Sequence, residues 1–225
     1  SSDLKLLQDD DLNTRIAAAY ALGKLGDTDK FDIIRKQARN TNETVRSNAT
    51  VLLGKIGNRK DIDLLDWVLK DSDSPEKVRF QAVESMAKLG DKRTYKKIWT
   101  MLISVYNDDR ILGVKAMAAL GTPRAKDVLV TMLDDRVLEI RLAAAMQLGT
   151  LNSNTGEKEV IKVFEEKLLD GKDFADKKRI NVLTALAISE IRTDKLKKYL
   201  PELLNNESQV VQLAAAKAVF EYLNT

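Results

Sequence analysis

The stretch Thr14–Asp27, TRIAAAYALGKLGD, returns as VRSNATVLLGKIGN at Val45–Asn58, VRFQAVESMAKLGD at Val78–Asp91 and IRLAAAMQLGTLN at Ile140–Asn152. A unit this short cannot fold by itself, because one amphipathic hairpin leaves its apolar side in water. Stacked copies cover one another. The repeat therefore restricts the chain to a stacked array, with its function carried on the surface of that array.

Aligned on a basic residue, the units start at Arg15, Arg46, Arg79, Arg110, Arg141 and Arg179, with Gln212 in the seventh place, at steps of 31, 33, 31, 31, 38 and 33 residues. Positions below are numbered from this residue. Apolar or small residues fall at −1, +3, +7 and +10, which is one side of an α-helix. Between these motif segments lie second amphipathic ones, FDIIRKQAR (31–39), DIDLLDWVLK (61–70), TYKKIWTMLISVY (94–106), AKDVLVTMLD (125–134), KEVIKVFEEKLLD (158–170) and DKLKKYLPELL (194–204). The spacing predicts helix, turn, helix, turn throughout, with residues 1–8 as the tail of a further second-type helix. Asp and Asn before the motif segments supply N-cap oxygens. Gly26, Gly57, Gly90 and Gly121 close them, and Pro201 interrupts the last second-type segment.

Composition narrows the chemistry. Among 225 residues there is no cysteine and no histidine, which removes disulfides, thiolate or imidazole metal sites and Ser-His or Cys-His nucleophiles. With 37 basic and 34 acidic residues the net charge is +3, too balanced for a phosphate-binding surface. Aromatics make up only 5%, as suits close-packed helices. No run is long and apolar enough for a membrane span, and no signal peptide opens the given sequence, which begins Ser1-Ser2. The reading favours a soluble, cytoplasmic chain over an exported one and leaves the compartment open. No metal, cofactor or catalytic residue is expected.

The motif VR..AA..LG.LGD, nearly intact at 14–27, 45–58 and 78–91 and degenerate towards 211–223, resembles the HEAT-like repeats of the short phycobilin-lyase type. The resemblance implies an all-α right-handed solenoid of about seven two-helix repeats, one domain over 1–225, with the motif helix lining a concave groove. It implies a docking surface more than a reaction. Deoxyhypusine hydroxylases of this kind bind iron through His-Glu pairs, which a chain without histidine cannot supply. Nothing marks a bilin site.

The expected function is a non-enzymatic scaffold binding another protein or peptide along the concave face. A nucleic-acid-binding or DNA-repair protein resembling the alkylpurine glycosylases is the alternative, for which Trp67, Trp99 and scattered lysines offer little. The +1 and +5 positions are the expected groove, giving Leu12, Ile16, Tyr20, Val51, Phe80, Ile111, Leu138, Leu142, Met146 and Ile180 as partner-binding residues. The arginines are expected to form an internal ladder to turn oxygens. Tyr95, Trp99, Leu102 and Tyr106 read as the core face of one second-type helix.

Overall fold

The computed structural model describes residues 5–224, and among them every regular element is helical. From residue 12 onward, fourteen α-helices follow in order among the described residues. The motif helices are α1 (Leu12–Lys24), α3 (Glu43–Ile56), α5 (Glu76–Lys88), α7 (Asn107–Leu120), α9 (Leu138–Thr150), α11 (Phe174–Ile191) and α14 (Gln209–Leu223). The second-type helices are α2 (Phe31–Gln37), α4 (Ile62–Lys70), α6 (Tyr95–Leu102), α8 (Pro123–Thr131), α10 (Glu157–Glu165), and the pair α12 (Asp194–Lys197) and α13 (Leu200–Leu204). Pro201 stands in the first turn of α13, so the chain breaks before it as its missing N–H requires.

The residues group into two compact units, 1–104 and 105–225. In the first unit, α1, α3 and α5 pack in succession, with α2 and α4 packed against them. Its core includes Ile34, Leu53, Leu65, Val78 and Met86, drawn from the −1 and +7 stripe and from the facing second-type helices. In the second unit, α7, α9, α11 and α14 pack in succession around Met117, Leu129, Ile140, Leu148 and Ile188.

Local signals explain the ends. Asp11 caps α1 by accepting from the amides of Asn13 and Thr14, Asn42 caps α3 at Val45 and Asp173 caps α11 at Asp176. At the other end Gly57 and Gly121 take the left-handed conformation, where a side chain is disfavoured. Two expectations need correction. Leu25, placed in the +10 core stripe, is 84% exposed because α1 ends at Lys24 and the chain turns away. The aromatic stripe does not extend to Tyr106, since α6 ends at Leu102; of its members Leu102 is buried, Tyr95 half-buried and Trp99 partly exposed. The predicted helix tail at 1–8 reaches the described residues only from 5 onward, where Leu7 packs on the core of the first unit.

Candidate protein-docking face

In the first unit each motif helix leaves one side uncovered. In α3 and α5 the −1, +3 and +7 residues join the core with the second-type helices, whereas in α11 the +3 and +7 residues, Val182 and Leu186, line a hollow towards α14. Within the units, the +1, +4 and +8 residues of α3 face α5, and the +8 residue of α9 faces α11. Three observations fix this second assignment. Ser47 at +1 donates its hydroxyl to Gln81 Oε1 of α5 at 2.6 Å. Thr50 at +4 accepts on its carbonyl from Ser85 Oγ at 2.9 Å. At +8, a Cβ added to Gly54 would lie 2.7 Å from Ser85, and one on Gly149 would lie 2.7 Å from the backbone of Glu190. The +8 residue is Gly or Ala in the first six motif helices, at 23, 54, 87, 118, 149 and 187, although at Gly23 the close neighbour is the ring of Phe31 in α2.

This geometry revises the predicted groove. Ile16, Phe80, Leu142 and Ile180, all at +1, are buried, as is Leu138, which lies one turn before Leu142 on the same side. They are core between helices and not a groove surface. The sequence places +1 within 40° of +5 on a helical wheel, and that small angle decides between a neighbouring helix and solvent. Ile111 and Leu12 are half-buried. Tyr20, Val51 and Met146, predicted on the +5 row, also keep part of their surface accessible.

In the first unit the side left over carries the +2, +5 and +9 rows, whereas in α11 the same rows, Asn181, Thr184 and Ile188, are buried. The rows of the first unit read Ala17, Tyr20, Lys24, then Asn48, Val51, Lys55, then Gln81, Glu84, Lys88. A cleft of about 230 Å³ lies between α1 and α3, lined by Asn13, Ala17, Asn48, Val51, Leu52 and Lys55 and reaching Ile16 at its base. Its rim is tied by one bond, Asn48 Nδ2 to Asn13 Oδ1 at 2.9 Å. Along the outer edge run Lys24, Lys55 and Lys88, one per motif helix and all exposed. Lys88 pairs with Glu84 one turn before it, whereas no ion pair is formed by Lys24 or Lys55 among the described residues. Sequence reasoning missed this lysine row. Its signal was the recurrence of one residue type at +9, a position beyond the apolar pattern.

The arginine ladder belongs to the scaffold. Arg46 donates from Nε to the Asn40 carbonyl at 2.7 Å and from Nη1 to Asp71 Oδ2 at 2.7 Å, and it also reaches Ser74 Oγ. Arg141 repeats the carbonyl bond six residues back, to Asp135 at 2.9 Å, and pairs with Glu159. Gln212 makes that same bond to Asn206, at 2.6 Å, which explains how glutamine fills an arginine position. Arg110 sits 3.1 Å from Asp135 and bonds Asn107. The ladder is incomplete: the Nε atoms of Arg15 and Arg79 are buried without an acceptor. The residue 25 positions on, Asp71 for Arg46 and Asp135 for Arg110, is Asn40 for Arg15, which offers no carboxylate. Nearby, Asp91 is nearly buried, and the guanidinium of Arg93 donating to it holds its carboxyl below the usual range, against the opposing effect of burial.

No group of His, Cys, Asp and Glu among the described residues is arranged to hold a metal, and none of their helices is long and apolar enough to cross a membrane. The model of the HEAT repeats matches residues 4–50 and 32–112. Over these residues the chain carries HEAT repeats, and its fold is HEAT-like. The complex of CpcE and CpcF of phycocyanin lyase from Nostoc sp. PCC7120 is similar in fold, at a TM-score of 0.59 and 21% identity over 98% of this chain and 86% of that one. Looser similarities link it to a HEAT-like repeat protein from the archaeon Thermococcus onnurineus (TM-score 0.43, 18% identity, 95% and 94% covered) and to human deoxyhypusine hydroxylase (0.48, 16%, 97% and 82%). These last two carry no argument about activity. No curated protein matches the sequence.

Proposed function

We propose that this HEAT-like chain is a non-enzymatic docking protein, and that the uncovered side of α1, α3 and α5 receives a segment of a partner protein. The observation that carries the reading is the pairing of the α1–α3 cleft, with Val51 in its lining and Tyr20 one turn beyond Ile16, with a row of lysines of which Lys24 and Lys55 form no ion pair among the described residues. An apolar floor with a cationic edge fits a segment that carries apolar anchors and carboxylates. The segment lies across the helices, as in other groove-binding modes. The designed armadillo repeat protein solved with a (KR)4 peptide offers only a loose likeness, and the reading does not rest on it.

The test is selection of binding peptides from a random library, followed by calorimetry with the double variant Lys24→Glu, Lys55→Glu. Selected peptides should be rich in Asp or Glu interspersed with apolar residues, and the double variant should weaken them at least tenfold with unchanged helical content. Peptides without acidic residues, or affinity untouched by the charge reversal, would refute the reading.

A further inference from the structure

The turns that follow α1 and α3 differ at one residue. At +13 from the repeat arginine, the turn after α3 opens with Arg59 and the turn after α1 with Thr28. Arg59 reaches the next repeat, where its Nη1 donates to the carbonyl of Leu89, the C-cap of α5, at 2.7 Å. It also covers Gly90, at which an added Cβ would lie 2.9 Å from the same nitrogen. Thr28 is too short to do this at the joint before. There an added Cβ on Gly57, the equivalent of Gly90, would meet nothing within 4 Å. The Ile56 carbonyl, equivalent to that of Leu89, accepts no hydrogen bond among the described residues. The space that a guanidinium fills at the later joint is here a hollow of about 430 Å³. Thr28, Asp29 and Asp32 form one wall, and Ile56, Gly57 and Asn58 the other.

The hollow is electronegative. Asp29 is exposed and forms no ion pair among the described residues. Ile56 is the last residue of α3, where the aligned peptide dipoles leave partial negative charge on the carbonyls. Arg35 also lines the hollow, but its donors are engaged within the wall, Nε with Asp61 at 2.7 Å and Nη1 with Asp32 at 2.7 Å. Two lining carboxylates, with buried Asp61 behind them, stand against that single guanidinium.

We infer that this hollow receives an arginine side chain of a partner polypeptide, which takes here the place that Arg59 takes at the following joint. The planar fork of a guanidinium offers five N–H donors to carbonyl and carboxylate oxygens at once, which a compact ammonium does not. An arginine inside a chain suits the site better than the free amino acid, whose own carboxylate would come up against Asp29 and Asp32. The second unit holds a contrasting case. Asn154 stands at +13 there, and a hollow of about 340 Å³ lies between it and the turn after α11. Its lining bears Arg192, and its one carboxylate, Glu190, is paired with Lys217. That hollow has the room without the charge. The inference stands apart from the docking reading, since the first-unit hollow shares no lining residue with the α1–α3 cleft.

The test is titration of N-acetyl-arginine methylamide into the isotope-labelled chain, followed through backbone amide shifts by NMR. Thr28, Gly57 and Asn58 should shift and saturate in the millimolar range, as suits a single side chain. Ser153 and Thr193, which line the second hollow, should not. The matching lysine amide and free arginine should bind at least threefold more weakly, and Asp29→Asn should weaken the arginine probe at least twofold. Thr28→Arg should supply the guanidinium from within, so that the probe no longer shifts Gly57 while helical content is unchanged. Absence of saturable shifts at Gly57 would overturn the inference. So would a lysine amide or free arginine bound as tightly, equal shifts at Ser153, or probe binding that survives Thr28→Arg or ignores Asp29→Asn.

Discussion

Leu142 and Leu213 hold the same position in two motif helices, one fully buried and the other 72% exposed, so truncating each isolates what a covering helix contributes. Leu142→Ala removes about three methyl or methylene groups from a site sealed on every side, at about 0.8 kcal/mol each, or about 2.4 kcal/mol. The neighbours Ala143, Ala144 and Ala145 are small and already buried, so the wall has little to collapse with. A residual cavity of about 60 Å³ adds about 1.5 kcal/mol at about 24 cal/mol per Å³. The expected loss is therefore about 4 kcal/mol, against less than about 0.5 kcal/mol for Leu213→Ala. Urea denaturation followed by circular dichroism measures both. Equal effects from the two truncations, or a Leu142→Ala midpoint indistinguishable from the parent, would refute the assignment of the +1 row to the joint between helices.

The other expectations are shorter. Arg46→Ala strips the Asn40 carbonyl, Asp71 and Ser74 of a shared donor and should lower the denaturation midpoint, by more than Arg15→Ala, whose Nε has no partner to lose. Gly54→Val should separate α3 from α5, because even a Cβ meets Ser85 at 2.7 Å, and should cost about 1–3 kcal/mol in the same assay. Asp91 has a folded pKa below its unfolded one, so its contribution to stability is complete above the ordinary carboxylate range and fades as pH falls towards the folded value; Asp91→Asn should flatten that part of the acid limb of a stability–pH curve. Fluorescence anisotropy should find no sub-micromolar binding to duplex DNA or RNA at physiological salt, given the net charge of +3 and interspersed signs.

Much of the scaffold was legible in the residues. The step between arginines, the −1 and +7 stripe, the glycines after α3 and α7 and the break at Pro201 all state local physics that the packed helices obey. The candidate site was less so. Periodicity gives the angle of a side chain on its helix but not what stands opposite it. Ile16 and Leu142 therefore resembled a groove lining until the following helix was in place. The small residues at +8 carried the missing information, since Gly54 and Gly149 make sense only where another backbone approaches. The lysines at +9 and the exposure of Leu213 depend on which rows remain uncovered, and the repeat pattern by itself does not show that.

The claim that the uncovered side of α1 and α3 is the docking site is tested most directly by side-chain footprinting with hydroxyl radicals, with and without a saturating selected peptide. The account predicts that Tyr20 and Val51 lose reactivity on binding while Leu213 and Phe220 keep theirs. Protection confined to α14, with Tyr20 and Val51 unchanged, would contradict it.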